Sequence, residues 1–279
     1  MAFFRALESR RPASRRLFAD PLAAHVLDRR LRAAASVSGV PLLGGLVPWI
    51  VDRRFPGPRP SAVARTKVID DWLVDALETG LDQLVLLGAG YDSRPYRIRG
   101  ADRLGVFEVD HPDTQARKRE LLERRLGAVP AHARLVPVDF EHDSLADTLA
   151  AAGFRAGART LTIWEGVVSY LSRPAVESTL RWAAASGATG SAVALTYVHS
   201  GLIDGSVEFP YSGPWVESVR RAGEPFVFGF DPAALPAEVS PFGLIVKEDL
   251  STTEALERLG MPTARVPGFY RVALLETSG

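Results

Sequence analysis

Between Leu84 and Val198 the chain alternates short apolar runs with helical patterns, and this rhythm limits the folds open to it more than any other feature. Leu84–Leu87, Leu104–Asp110, Leu135–Asp139, Leu161–Gly166 and Ala192–Val198 each read as a buried strand. Continuous apolar runs of that length suit strands covered on both faces, and strands alternating with helices require right-handed crossovers. The expected class is α/β with a mainly parallel sheet. Ahead of the first strand, Ile69, Trp72, Leu73, Ala76 and Leu77 form one apolar stripe on a helix that Gly80 ends. A polar helix is expected from Asp113 to Leu126, and another from Ser172 with Val176, Leu180 and Ala183 inward. Near the end, Pro214–Ala222 reads as a helix and Leu244–Asp249 and Tyr270–Glu276 as strands that pair as a hairpin-like edge with one strand reversed.

Residues 1–59 differ in texture. A charged helical stretch is followed by Asp20-Pro21, which reads as opening a second helix, and then by a run rich in Gly and Pro from Gly39 to Pro60. This gives an expected division into a helical cap or lid over residues 1–59 and a core over 60–279, with an aromatic-rich insertion at about 199–241. The first 65 residues hold twelve arginines against Glu8, Asp20, Asp28 and Asp52. The plain reading is a solvated helical surface; the sharper one is a positive rim that attracts an anionic substrate. Over the whole chain 33 basic and 33 acidic side chains cancel, which argues against a nucleic-acid or membrane-surface partner. Cysteine is absent, which excludes disulfides, thiolate metal sites and cysteine nucleophiles. No apolar signal core or spanning stretch is visible, so a cytoplasmic protein is expected. His25, His111, His132, His142 and His199 lack metal-ligand spacing, so no metal is expected, and neither a P-loop nor a hydrolase serine elbow is present.

The chemistry concentrates in Leu84–Arg94, LVLLGAGYDSR. Gly88 and Gly90 directly after a buried strand let the backbone approach a ligand at the carboxyl end of the sheet. The dinucleotide fingerprint fails at Ser93, and Asp92 would set a carboxylate against a diphosphate. A phosphate-free adenosyl cofactor with an ammonium, such as S-adenosylmethionine, reverses that sign. Successive strand ends then carry acids: Asp110, 22 residues after Gly88, for ribose hydroxyls; Asp139 beside Phe140 for adenine; Glu165 over the same crevice. Each acid taken singly reads equally well as a helix cap or turn residue. His199, then His111, are the candidate general bases; both read more plainly as loop histidines bonded to backbone. Tyr170 is a candidate acceptor-site residue. Phe209, Tyr211, Trp215, Phe226, Phe228 and Phe230 either line an acceptor pocket or fill the last core layer.

LVLLGAGYDSRPYRI, FEVDHPDTQARKRELL, VPVDF and WEGVVSYLS together resemble the leucine carboxyl methyltransferase-like family of S-adenosylmethionine-dependent methyltransferases, in particular actinobacterial and polyketide O-methyltransferase-like members. The resemblance runs from about Glu8 to about Leu171. It implies a Rossmann-like class I methyltransferase fold: a mainly parallel seven-stranded sheet with one reversed edge strand and a helical N-terminal cap. It further implies that Gly88, Ala89 and Gly90 line the cofactor's methionine and ribose, Asp110 holds the ribose, Asp139 and Phe140 flank adenine, and Glu165 faces the ammonium. Arg65, in AVARTKVIDDWL, matches an arginine that holds the cofactor carboxylate, although on the sequence alone it reads as a helix-surface ion pair. The family's N-terminal lysine has no match; Ser9 and Arg10 stand near its position. The expected activity is O-methylation of a small-molecule acceptor of polyketide or peptide type, a carboxylate first. The alternatives are an NAD(P)-dependent oxidoreductase on the same fold and a non-catalytic cofactor-binding relative.

Overall fold

In the computed structural model, which describes residues 1–40, 44–139 and 142–278, the alternating runs form one sheet. Its strands are β1 (Gln83–Leu87), β2 (Gly105–Asp110), β3 (Ala133–Pro137), β4 (Thr160–Trp164), β5 (Ala192–His199), β6 (Gly229–Phe230), β7 (Leu244–Ser251) and β8 (Tyr270–Thr277). The order is β3-β2-β1-β4-β5-β8-β7, with the two-residue β6 added beside the end of β5. β1 to β6 pair in parallel, whereas β8 is antiparallel to both β5 and β7 and lies one strand in from the edge. The chain therefore reverses strand order at β1, between β2 and β4. In such sheets the crevice at that point takes the ligand.

The helices are α1 (Ala2–Ser9), α2 (Arg29–Val37), α3 (Leu46–Arg54), α4 (Pro58–Glu78), α5 (Arg94–Arg97), α6 (Pro112–Leu126), α7 (Leu145–Ala151), α8 (Arg173–Ser186), α9 (Ser200–Asp204), α10 (Gly213–Arg221), α11 (Leu235–Val239) and α12 (Thr252–Arg258). Side chains alternate across a strand, so β1 feeds both faces. Val85 and Leu87 join Val176 and Leu180 of α8 on one side, while Leu84 and Leu86 join Ile69 and Leu73 of α4 on the other. The α4 stripe foreseen in the sequence is thus one face of the core. A smaller cluster of Ala6, Leu7, Ala23, Leu27 and Ala35 holds the N-terminal helices together.

Three local expectations change. The Gly/Pro-rich run contains α3, and α4 begins at Pro58, because proline is compatible with the first helical turn, where amides lack partners in any case. Asp20-Pro21 opens only a single 3-10 turn at Ala23–His25. The Asp20 carboxylate accepts the amides of Leu22 and Ala23 instead of starting a longer helix. β3 ends at Pro137, two residues before Asp139. Proline offers no amide to continue the ladder, and the Asp139 amide turns to the Asp143 carboxylate at 2.8 Å.

Candidate active site

The glycine turn after β1 is tied to β2 from behind. Ala89 N–H donates to the Val109 carbonyl at 2.9 Å, and Gly90 N–H donates to Asp110 Oδ2 at 2.5 Å. Gly88 has φ +66°, and a Cβ there would lie 2.3 Å from Val167 Cγ2, so no other residue fits. Asp110 Oδ1 accepts the His111 amide at 2.7 Å, so in this structure the carboxylate steadies the turn with both oxygens.

In front of the turn lies a cavity of about 160 Å³, lined by Arg5, Gly88, Ala89, Gly90, Asp92 and Glu165 among others. Its charge is organised by Arg94 of α5, which is 2% exposed. The guanidinium meets three carboxylates from three elements: Asp70 of α4 at 2.8 Å, Asp92 of the turn at 2.5 Å and Glu165 beyond β4 at 3.0 Å. Arg97 pairs with the same Asp70. Burial opposes ionisation of Asp92, but Arg94 and Arg5 override it and hold the carboxyl at about 2. Glu165 is held below the usual carboxylate range in the same way, burial being outweighed by Arg94 and then Arg65. The Arg94 guanidinium is correspondingly stabilised in its charged form against the cost of its burial.

Arg65 sits on α4 with 3% of its surface exposed. It donates to Ser61 Oγ at 3.1 Å, faces Glu165 at 3.7 Å and lies 4.1 Å over the Tyr270 ring. The helix-surface ion pair expected from sequence is therefore a buried one with Glu165. Two polar atoms of this pair, Arg65 Nε and Glu165 Oε1, are buried and make no hydrogen bond among the described residues. Such atoms are costly to leave unpaired. They fit the zwitterionic tail of an amino acid, whose carboxylate would satisfy the guanidinium and whose ammonium the Glu165 oxygen.

The Tyr270 ring under Arg65 belongs to a buried aromatic cluster. Tyr270 stacks on Trp215 with centroids 5.5 Å apart, and Phe226 lies 5.6 Å from Tyr170. Phe209 joins the same group, packed on Phe269. Phe228 and Phe230 instead enter the main core, the latter edge-on to Tyr197 at 5.4 Å, and Tyr211 is half-exposed. The aromatic-rich segment thus divides between the main core, a second buried cluster and the surface.

The structure brings Arg65, Gly88, Ala89, Gly90 and Glu165 together, with Asp110 behind the turn and Tyr170 packed on Phe226 of the aromatic cluster. Asp139 lies past β3 and holds His142 Nδ1 at 2.9 Å. Phe140 falls outside the described residues. His199 takes the plainer of its two readings, a histidine bonded to backbone. Its Nδ1 accepts the Gly201 amide at 3.0 Å, capping α9, and this bond engages one of the two ring nitrogens. His199→Ala is expected to keep full turnover and to lose about 1 kcal/mol of stability with the cap, measured by initial rates and urea melts. Sequence reasoning missed Arg94 and Arg5. Arg5, one helical turn before Ser9, reaches the cavity and donates to the Tyr91 carbonyl at 2.6 Å and to Asp20 at 2.8 Å.

A model of the leucine carboxyl methyltransferase family matches residues 1–184. The chain belongs to this family. Over 228 residues the methyltransferase is 35% identical to a protein of Streptomyces coelicolor named as an S-adenosyl-L-methionine-dependent methyltransferase, covering 78% of this chain and 76% of that one. A Frankia alni protein of the same name is 35% identical over 208 residues, 73% of this chain and 68% of that one. A crystal structure of a methyltransferase from Thermobifida fusca superposes with TM-score 0.60 at 15% identity, over 100% of this chain and 95% of that chain. That likeness is one of fold. The cofactor of this methyltransferase is therefore S-adenosylmethionine, and the nicotinamide reading is set aside by family membership. The Asp92 charge argument does not decide it, since Arg94 neutralises that carboxylate.

Proposed function

We propose that this methyltransferase esterifies a carboxylate of a small organic acid, of polyketide or peptide type, in the cytoplasm and in secondary metabolism. The observation that carries the reading is the position of Arg65, between Glu165 on one side and the Tyr270 ring on the other. Arg65 and Glu165 would hold the carboxylate and ammonium of the cofactor tail, Gly88 to Gly90 would line its methionine and ribose, Asp110 the ribose, and Asp139 with Phe140 the adenine. Bound S-adenosylmethionine supplies a methyl group already activated on a sulfonium. The protein's part is then placement and exclusion of water. Tyr170, Phe226 and Tyr270 offer an apolar wall for the acceptor, and α1, latched by Arg5 to the Tyr91 carbonyl, would serve as the lid of the 1–59 cap over the core.

A carboxylate acceptor is ionised at neutral pH and needs no base, which agrees with His199 being committed to its cap. A phenol, with a pKa near ~10, would need one. Incubation with S-adenosylmethionine and a panel of aromatic and aliphatic acids and phenols tests this by mass spectrometry. The expected product is an alkali-labile methyl ester; a product set of alkali-stable phenyl ethers alone would contradict the carboxylate assignment.

A further inference from the structure

The Arg65 guanidinium is oriented by residues far from it in the chain. Its Nη1 donates to Ser61 Oγ at 3.1 Å, Ser61 Oγ lies 3.0 Å from Thr252 Oγ1, and Thr252 Oγ1 donates to the Tyr270 carbonyl at 2.9 Å. Ser61 stands one turn before Arg65 on α4, Thr252 begins α12 and Tyr270 begins β8, and all three are buried. The polarity of this chain is fixed at both ends. A guanidinium only donates and a carbonyl only accepts, so each hydroxyl accepts from the Arg65 side and donates toward Tyr270. Bonds in such a series, out of water, strengthen one another. Tyr270 meets Arg65 a second time through its ring, 4.1 Å from the guanidinium.

With Nη1 and one face engaged, the Nε–Nη2 edge of the fork remains. Nε makes no hydrogen bond among the described residues, and Nη2 reaches the Met1 thioether at 3.4 Å, a weak acceptor. Nε faces Glu165 Oε1 at 3.7 Å, and both Glu165 and Met1 line the cavity at the glycine turn. The edge turned toward the cavity is thus one that presents two parallel N–H groups, the arrangement that binds a carboxylate through both oxygens.

We propose that Ser61, Thr252 and Tyr270 are positioning residues for the cofactor, which hold Arg65 so that its Nε–Nη2 edge meets the carboxylate of the amino-acid tail. The proposal rests on the reading of Arg65 as the holder of that carboxylate and adds what aims it. A guanidinium fixed before the ligand arrives has less freedom to lose on binding. α12 and β8 lie beyond residue 184, where the family match ends, so a part of the chain outside that match sets the geometry of the cofactor site.

Thr252→Val deletes the central hydroxyl at nearly constant shape. It is expected to weaken S-adenosylhomocysteine about fivefold by calorimetry, the scale of one side chain that must be ordered on binding. Ser61→Ala should reproduce the loss, and Thr252→Ser, which keeps the hydroxyl, should restore the affinity. 5′-Methylthioadenosine, which has the nucleoside and thioether without the amino-acid tail, should bind wild type and all these variants alike. In an Arg65→Met background, itself weakened for S-adenosylhomocysteine, Thr252→Val should cost nothing further. Equal losses for the two ligands, an undiminished loss in the Arg65→Met background, or wild-type affinity in both Thr252→Val and Ser61→Ala would overturn the relay, with the role of Arg65 left standing. Wild-type affinity for S-adenosylhomocysteine in Arg65→Met would overturn both.

Discussion

Arg94→Met is expected to lower the melting temperature by about 10 °C at pH 7. The guanidinium is 2% exposed and is shared by Asp70, Asp92 and Glu165. Methionine fills much of the same volume, so the loss is electrostatic. Removing one partner of a buried ion network leaves carboxylates uncompensated, at a cost of about 3–5 kcal/mol, and each kcal/mol is worth ~2–4 °C in a chain of this size. Asp70 keeps Arg97; Asp92 and Glu165 bear the loss. The pH dependence distinguishes this cause from poor packing. In the wild type, the depressed pKa of Asp92 contributes stability above about pH 4 that is lost as the pH falls through about 2. In the variant, burial without its main cation raises that carboxyl, so the folded state takes up a proton more readily than the unfolded one. The variant's deficit should therefore shrink between pH 7 and pH 5. Thermal melts of both proteins across that range measure it; a deficit independent of pH would assign Arg94 to packing alone.

Glu165→Gln is expected to weaken S-adenosylhomocysteine about 30–100-fold by calorimetry, and to lower the melting temperature less than Arg94→Met. A hydrogen bond to a charged group contributes roughly 1.5–3 kcal/mol, and 1.4 kcal/mol is tenfold in affinity. Gln keeps the shape and an acceptor oxygen while deleting the charge. Because Arg94 and Arg65 hold Glu165 below the ordinary carboxylate range, the wild-type affinity should be flat from pH 8 down to pH 5. A wild-type affinity in the variant would show that the ammonium is held elsewhere.

The parallel half of the sheet was readable because a strand buried on both faces must be apolar throughout, as Leu84–Leu87 is. The site was readable where a residue sits at a strand end, as Gly88 and Glu165 do, since topology alone brings strand ends together. Arg65 was placed by its family motif; its own helix gave no sign that it would be buried. α3 was not foreseen because none of its residues is buried, so no periodic apolar stripe marks it. Arg94 stands in the glycine motif itself, yet its role depends on carboxylates from α4, the turn and the end of β4, which meet only in the folded chain. The plainer reading of His199, a histidine bonded to backbone, needed only its amide partner two residues on, at Gly201.

Arg65 and Glu165 form a buried couple that the zwitterionic tail of the cofactor would divide. A crystal structure of the complex with S-adenosylhomocysteine tests it most directly. The amino group of the ligand is expected at Glu165 Oε1 and its carboxylate on the Arg65 guanidinium, with the 3.7 Å contact between the two side chains opened. A tail seated elsewhere, with that contact unbroken, would contradict it.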